Sequence, residues 1–147
     1  MRIITALMVV VLALAGCQSS FKQLKSPPKL EVKVDGQTTE ATIGTYCWDG
    51  KCVDTAGPVD LLKGVKPIVV APNTEIKLTQ NDKYKPSTVD LTMIHNDKEK
   101  DLQFNGKSIT APAEKGVYYY AYFGQWYEKE DQYRSADAQY AFAIKVE

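Results

Sequence analysis

The chain has 147 residues, of which 44% are hydrophobic and 24% charged, and its 18 basic residues balance 18 acidic ones. This composition is typical of a globular protein, and it excludes disordered, collagen-like and wholly membrane-embedded chains. The net charge of zero gives no electrostatic basis for binding nucleic acid, which we do not expect as a partner. With one His and three Cys, the chain lacks the usual spacings of zinc sites, and we expect no metal and no cofactor.

The first 16 residues are predicted to form a signal peptide. Arg2 supplies a positive start, and residues 3–15 are apolar except for Thr5. A transmembrane helix needs about 20 apolar residues, whereas a shorter run is typical of the apolar centre of an export signal. We therefore expect residues 1–16 to be removed on export.

The apolar run ends in Leu14-Ala15-Gly16-Cys17, which resembles the lipobox of bacterial lipoproteins. In that family the cysteine becomes the first residue of the mature chain, diacylated on sulfur and usually acylated on its amine. The resemblance implies that Cys17 is lipidated and that the protein is anchored to the extracytoplasmic face of the cell membrane. In a Gram-negative host this would be the periplasmic or outer-membrane side. Two or three acyl chains anchor a protein far more firmly than one.

A tether is expected between the lipidated cysteine and the folded part. From Gln18 to Pro28 the sequence is QSSFKQLKSPP, which is polar, contains a Pro pair and shows no hydrophobic period. We assign residues 17–28 to this lipidated tether. The remaining residues, 29–147, are long enough for one domain with its own hydrophobic core.

The folded part alternates apolar and polar residues, with turn residues between the alternating segments. Apolar residues at every second position, or β-branched and aromatic runs, predict strands over residues 30–34, 42–48, 51–54, 68–70, 76–78, 89–93, 117–127 and 140–146. Asp49-Gly50 and Asn105-Gly106 are strong hairpin signals. Pro58 permits one helical turn, and no segment keeps the apolar spacing of a three-turn helix.

About seven to nine short strands predict an all-β fold, an antiparallel sandwich. The last two strands look immunoglobulin-like, because one is rich in Tyr after Gly116 and the other ends in Phe142, Ile144 and Val146. This is a likeness of fold, and it implies no activity.

Cys47 and Cys52 flank a two-residue turn that pairs Trp48 with Lys51. The next rung of the ladder then places the two cysteines opposite each other, at a non-hydrogen-bonded position with Cα atoms about 4.5–5.5 Å apart. Export to an oxidising compartment favours a disulfide there. A thioredoxin-like motif would have two residues between the cysteines and would begin a helix, so we predict a structural bond and not a redox or metal site.

His95 is the only histidine, and it lies at the end of a predicted strand beside Asn96. We predict that it is a solvated turn residue, because no nucleophile or second metal ligand is placed with it. The nucleophile-elbow, serine–lysine, zinc-protease, P-loop and dinucleotide-binding motifs are all absent from the sequence. We expect the protein not to be an enzyme.

The aromatic run of residues 117–127 is the strongest candidate binding surface. On a strand its residues form two alternating sets: Val117, Tyr119, Ala121 and Phe123 on one face, and Tyr118, Tyr120 and Tyr122 on the other. If the first set faces the core, the three tyrosines line the outside and, with Trp126 and Tyr127, would stack on sugars or peptides. The alternative is that these rings pack against the final strand, since Tyr is common on half-buried strands.

A second resemblance covers more of the chain. Small uncharacterised lipoproteins of Gram-positive bacteria such as bacilli are similar in the pattern Gly44-Thr45-Tyr46, Trp48, Pro58 with Leu61-Leu62, and the Tyr-rich last hairpin. We predict a lipid-anchored binding module whose partners are the membrane, through its acyl chains, and an envelope protein or cell-wall glycan. The alternative is an inhibitor of a secreted or envelope-degrading enzyme, a protease or lysozyme, that presents a loop within residues 55–66 or 124–137.

Overall fold

The computed structural model describes residues 24–128 and 135–147, which form two packed β-sheets. The strands are β1 (Glu31–Val34), β2 (Gln37–Glu40), β3 (Thr42–Trp48), β4 (Lys51–Val53), β5 (Ile68–Val70), β6 (Glu75–Thr79), β7 (Thr88–His95), β8 (Lys98–Leu102), β9 (Ser108–Thr110), β10 (Gly116–Tyr127) and β11 (Ser135–Val146). Within these two ranges, one short helix, α1 (Pro58–Leu61), and a 3-10 turn at Asp82–Tyr84 accompany the strands. Neither of these helices is long and apolar enough to span a bilayer. The predicted all-β sandwich is confirmed, with eleven strands in the described ranges and not seven to nine.

The two sheets differ in size. The smaller sheet has the order β2-β1-β6-β9, and the larger has the order β4-β3-β11-β10-β7-β8. A seventh strand of the larger sheet, β5, pairs with the end of β11 and is parallel to it, whereas every other pairing is antiparallel. The long hairpin of β10 and β11 is thus the centre of the larger sheet.

From β5 onward the connectivity is typical of immunoglobulin-like sandwiches. The chain changes sheet between β5 and β6, between β6 and β7, between β8 and β9, and again between β9 and β10. Near the start of β10, the Tyr118 hydroxyl donates a 3.0 Å hydrogen bond to the carbonyl oxygen of Glu114. A tyrosine bonded back to the chain a few residues upstream, at this corner, is a hallmark of that fold.

The core lies between the sheets and is rich in aromatic rings. The larger sheet contributes Tyr118, Tyr120, Tyr122, Trp126, Tyr140, Phe142, Ile144 and Val146. The Tyr120 and Phe142 rings stack with centroids 4.8 Å apart, and Trp48 meets Trp126 edge to face at 4.9 Å. The smaller sheet covers these rings with Leu30, Val32, Ile76 and Leu78.

Small residues on the outer face of the larger sheet make room for α1. Leu62, only 3% exposed, packs with Leu61 against Ala141 and Ala143 of β11. Pro58 stands at the start of the helix, where its fixed φ suits the first turn and its missing N–H is not needed. The predicted single helical turn after Pro58 is confirmed.

The hairpin predicted at Asn105-Gly106 is wrong, because β8 and β9 belong to different sheets. The Asn105 side-chain oxygen accepts hydrogen bonds from the backbone N–H groups of Lys107 (2.9 Å) and Ser108 (3.1 Å), and Gly106 has a φ of 80°. Asn side chains commonly stabilise turns in this way. The same two residues therefore form a turn that carries the chain from one sheet to the other.

Residues 24–28, assigned above to the tether, lie against the domain. Leu24 packs on the core, and Pro27 and Pro28 are buried. The folded domain therefore includes Leu24, Pro27 and Pro28, whose apolar side chains pack on the sandwich, whereas Lys25 and Ser26 between them are exposed. The predicted signal peptide, the lipidation site Cys17 and the rest of the tether, up to residue 23, lie outside the described residues.

Candidate functional site

The aromatic run does not form an exposed row. Tyr118, Tyr120 and Tyr122 are each at most 4% exposed, so the expectation that they line the outside is wrong. The cause is the hairpin register, in which Tyr120 lies opposite Phe142 and Tyr122 opposite Tyr140. All of these rings point between the sheets, as in the alternative stated above. The alternation along the strand was predicted correctly, but the faces were reversed.

The two other aromatic candidates are also held by structural contacts. Trp126 is 1% exposed, and its indole N–H donates to the Tyr84 carbonyl at 2.8 Å. Tyr127 is half-buried, and its hydroxyl donates to the Gln125 side-chain oxygen at 3.0 Å. Of the five aromatic residues predicted to bind a ligand, Tyr122 is the one that borders the groove described below.

The predicted disulfide between Cys47 and Cys52 is present. The two residues are partners in the antiparallel ladder, with Cα atoms 4.1 Å apart. The turn residues Asp49 and Gly50 have φ values of 48° and 76°, as a type I′ hairpin requires. The bond joins the exposed edge strand β4 to β3, which is a structural role.

Reduction of this disulfide is expected to lower the free energy of unfolding by about 2 kcal/mol, because the closed loop is short. Cys52→Ser should have the same effect, whereas Gly50→Val should cost more, since a β-branched residue resists positive φ. Urea unfolding measures all three. Gly57→Val is the control, because Gly57 has a φ of −61° and open space around it. Equal losses of stability in Gly50→Val and Gly57→Val would contradict the requirement for a positive φ at Gly50.

His95 is half-buried and structural, so its prediction as a solvated turn residue is wrong. Its ring stacks on Tyr118 at 4.1 Å, and its Nδ1 lies 2.8 Å from the Val117 carbonyl oxygen. Because a carbonyl only accepts, Nδ1 is the donor, and Nε2 accepts from the Asn96 amide at 3.0 Å. A Cβ at Gly116 would lie 2.9 Å from the imidazole ring, so the absence of a side chain there lets the ring fit.

The candidate site is a groove of about 660 Å³ at one edge of the sandwich. It opens beside the start of β9: the first residue of this strand, Ser108, pairs with Lys77, and beyond it only the Lys107 carbonyl bonds to β6, through the Leu78 N–H at 2.9 Å. Its floor is mainly apolar and comes from both sheets and their connections: Leu78, Pro86, Val89, Phe104 and Tyr122. Polar and charged residues form its rim: Glu75, Lys77, Thr79, Gln80, Asp82, Lys85, Asn105, Lys107 and Ser108.

Two aromatic rings define the floor of the groove. Phe104, which is half-buried, meets Tyr122 edge to face with centroids 6.0 Å apart. The Tyr122 hydroxyl donates to the Gln80 side-chain oxygen at 3.4 Å, and the Gln80 amide donates to the Pro28 carbonyl at 3.3 Å. Burial raises the pKa of Tyr122 well above its usual range, so the hydroxyl stays neutral. The floor is therefore tied to the folded N-terminal segment.

The charges on the rim are partly neutralised by one another. Lys85 lies 2.6 Å from Asp82 and, by donating to it, lowers the pKa of that carboxyl. Lys77 lies 3.7 Å from Glu75. Lys107 is exposed and forms no ion pair with any residue of the two described ranges. The rim thus carries one positive charge that is not compensated locally.

Sequence reasoning missed this groove. Its residues come from three separate parts of the chain, residues 75–89, residues 104–108 and Tyr122. The decisive one, Phe104, stands next to a turn that the sequence assigned to a hairpin. An apolar residue between the polar Gln103 and Asn105 was the available signal.

Comparison with known proteins identifies no relative of this chain. No family model matches the chain, and no curated protein and no solved structure matches it either. Among the side chains that the structure describes, no three His, Cys, Asp or Glu residues are grouped so that they could hold a metal ion.

Proposed function

We propose that the protein is a lipid-anchored, extracytoplasmic binding module, that it catalyses no reaction, and that its ligand binds in the groove. The observation that supports this most directly is the apolar floor left open beside the start of β9, with Phe104 and Tyr122 at its centre. An apolar floor with a few fixed polar groups is typical of ligand sites. The uncompensated Lys107 favours a ligand that presents an anionic group beside an apolar one, on an envelope protein or a cell-wall glycan.

The dye anilinonaphthalene sulfonate tests the groove, because it combines aromatic rings with one anionic group. We expect the folded protein to bind it and Phe104→Ala to weaken binding about tenfold, which corresponds to about 1.4 kcal/mol. Lys107→Gln should weaken binding several-fold, since it removes the positive charge of the rim. Fluorescence titration measures both affinities.

Matched controls for this titration lie outside the groove. Val69→Ala alters an apolar side chain that is 56% exposed on β5, and Lys98→Gln removes an exposed charge on β8. Both variants should bind the dye as the unmodified protein does. If Phe104→Ala and Lys107→Gln bind as tightly as these controls, the groove is not the binding site.

Lipidation is tested in cells that produce the whole chain. Growth with an alkyne fatty acid is expected to label the protein and to leave Cys17→Ser unlabelled, because the acyl chains are attached through Cys17. Cys52→Ser should remain labelled, which separates the lipidated cysteine from the disulfide. An unlabelled protein that is free in the medium would refute the anchor.

The inhibitor alternative needs a loop that projects into an enzyme cleft. Of residues 55–66, the central part folds back on the larger sheet through Leu61 and Leu62. Of residues 124–137, those at 129–134 lie outside the described residues, and most of the others belong to β10 and β11. No observation on the described residues favours this alternative over the binding module.

A further inference from the structure

The first described residues are fastened to one end of the sandwich. The Trp48 indole N–H donates to the Leu24 carbonyl at 3.0 Å, and the Leu24 side chain packs on the core. Lys25 lies 3.2 Å from Asp49, in the turn between β3 and β4. The chain therefore reaches the domain beside this turn.

A second set of contacts holds the chain a few residues further on. The Pro28 carbonyl accepts hydrogen bonds from the Tyr140 hydroxyl at 2.5 Å and from the Gln80 amide at 3.3 Å. Tyr140 belongs to β11 and is 1% exposed, so this anchor point is inside the core. Segment 24–28 is thus bound at both of its ends.

The strand directions show which elements share this end. In the ladders, Cys47 lies opposite Asp137 near the start of β11, and Gln125 lies opposite Thr88 at the start of β7. The end that receives the chain, here called the tether end, therefore comprises the β3–β4 turn and the 3-10 turn that precedes β7. The β7–β8 turn and the last residue of β11, Val146, lie at the opposite end. A strand of twelve residues, the length of β10 and β11, spans about 40 Å at about 3.3 Å per residue.

The longest distance that the chain can span between Cys17 and Leu24 is shorter than the long strands of the domain. Six residues separate Cys17 from Leu24. Seven Cα–Cα steps span at most about 25 Å even when fully extended. A lipid on Cys17 would therefore keep the tether end near the bilayer, while the far end lies a further domain length away along the strands.

We propose that the tether end of the sandwich faces a lipid headgroup surface. This rests on the proposed lipidation of Cys17. The ion pairs Lys25–Asp49 and Lys85–Asp82 neutralise four of the described charges at this end. The orientation is therefore set by the chain's covalent link and not by attraction to anionic lipid. The ligand groove shares Thr79, Gln80 and Asp82 with a shallower groove beside Leu24 and Pro28, so it also opens near the membrane.

Two lysines provide a matched comparison of the two ends. Lys51 and Lys98 are both exposed, and each is the first residue after a two-residue turn in the larger sheet. Lys51 lies at the tether end and Lys98 at the opposite end. Their amines should react equally with a water-soluble acylating reagent when the protein is free in solution.

The test uses residues 17–147, which retain every described residue. The Cys17 thiol, the one cysteine not in the disulfide, is coupled to a maleimide lipid in phosphatidylcholine vesicles. On the vesicles we expect the acylation of Lys51, followed by mass spectrometry, to slow several-fold while that of Lys98 is unchanged. The ratio should be the same when anionic phosphatidylserine is added to the vesicles.

A longer tether is the control. Insertion of about 20 Gly and Ser residues after Gln23, with an r.m.s. span of about 25 Å, should restore the reactivity of Lys51. Equal slowing of both lysines, or greater slowing of Lys98, would overturn the proposed orientation. Because the lipid is attached chemically, this outcome is distinct from the absence of acylation in cells, which would refute the proposed anchor.

Discussion

Trp126→Ala is expected to lower the free energy of unfolding by about 4 kcal/mol, as large-to-small substitutions of buried aromatic residues do. The indole is 1% exposed, and it packs edge to face on Trp48. Its loss also leaves the Tyr84 carbonyl without its donor. Trp48 donates a hydrogen bond to the Leu24 carbonyl. Because Trp48 would lose its packing on Trp126, we expect the N-terminal segment to be released as well. Urea unfolding measures the loss of stability.

The adjacent residue is the control for this substitution. Tyr127→Ala removes a ring of similar size that is only half-buried, so the expected loss is well below that of Trp126→Ala. Trp126→Phe should lie between the two, since it keeps an apolar ring and loses the hydrogen bond. Equal losses of stability in Trp126→Ala and Tyr127→Ala would contradict the central place of Trp126 in the core.

Stability is expected to fall steeply above pH 10. Burial raises the pKa of Tyr120, Tyr122 and Tyr140 well above the usual value near 10. A group whose pKa is raised in the folded state stabilises the fold below its unfolded pKa, and this stabilisation is lost as the pH rises from that value toward the folded pKa. Three such groups together should cost about 4 kcal/mol per pH unit, at about 1.4 kcal/mol each. Urea unfolding between about pH 8 and about pH 11 measures the slope.

Two phenylalanine variants test the origin of this slope. Within the described residues, the Tyr120 hydroxyl is buried without a hydrogen-bond partner. Tyr120→Phe should therefore leave stability at neutral pH unchanged or raise it by about 1 kcal/mol, and should reduce the alkaline slope by about a third. Tyr140→Phe should reduce the slope similarly but lower the stability at neutral pH, because it breaks the bond to Pro28. An unchanged slope in both variants would contradict the assignment.

The strands and the disulfide were predictable because they depend on local sequence. Period-2 alternation and the Asp49-Gly50 turn determine the ladder around Cys47 and Cys52 without reference to the rest of the chain. Which face of β10 is buried depends instead on its partner strand. Aromatic residues occupy both faces of β10, so its own composition does not decide between them.

The composition of the final strand, β11, shows which face of β10 is buried. Its apolar residues Tyr140, Phe142 and Ile144 mark its inner face, and the register places each opposite an even-numbered residue of β10. Between the two strands the sequence EKEDQYR, residues 128–134, has no glycine-containing hairpin signal from which that register could be predicted. Without the register, the two faces of β10 remain equivalent.

Two further features arise only from tertiary structure. The sequence KEKDL of β8 has no apolar alternation, and it is a strand because β7 supplies its partner. Charged residues on such an edge also oppose pairing with other chains. The groove, likewise, depends on where β9 begins relative to β6, which no local pattern of either strand specifies.

The position of β1 determines how the domain bears mechanical load. This strand follows directly from the fastened segment 24–28 and lies between β2 and β6, antiparallel to both. Tension between the N-terminal segment and the opposite end of the sandwich acts along the axis of β1, so it loads the hydrogen bonds of both ladders in shear at the same time. The bond from Tyr140 to Pro28 carries part of the same force directly to β11. A domain pulled between its anchor and its far end would therefore resist until the two ladders of β1 fail together.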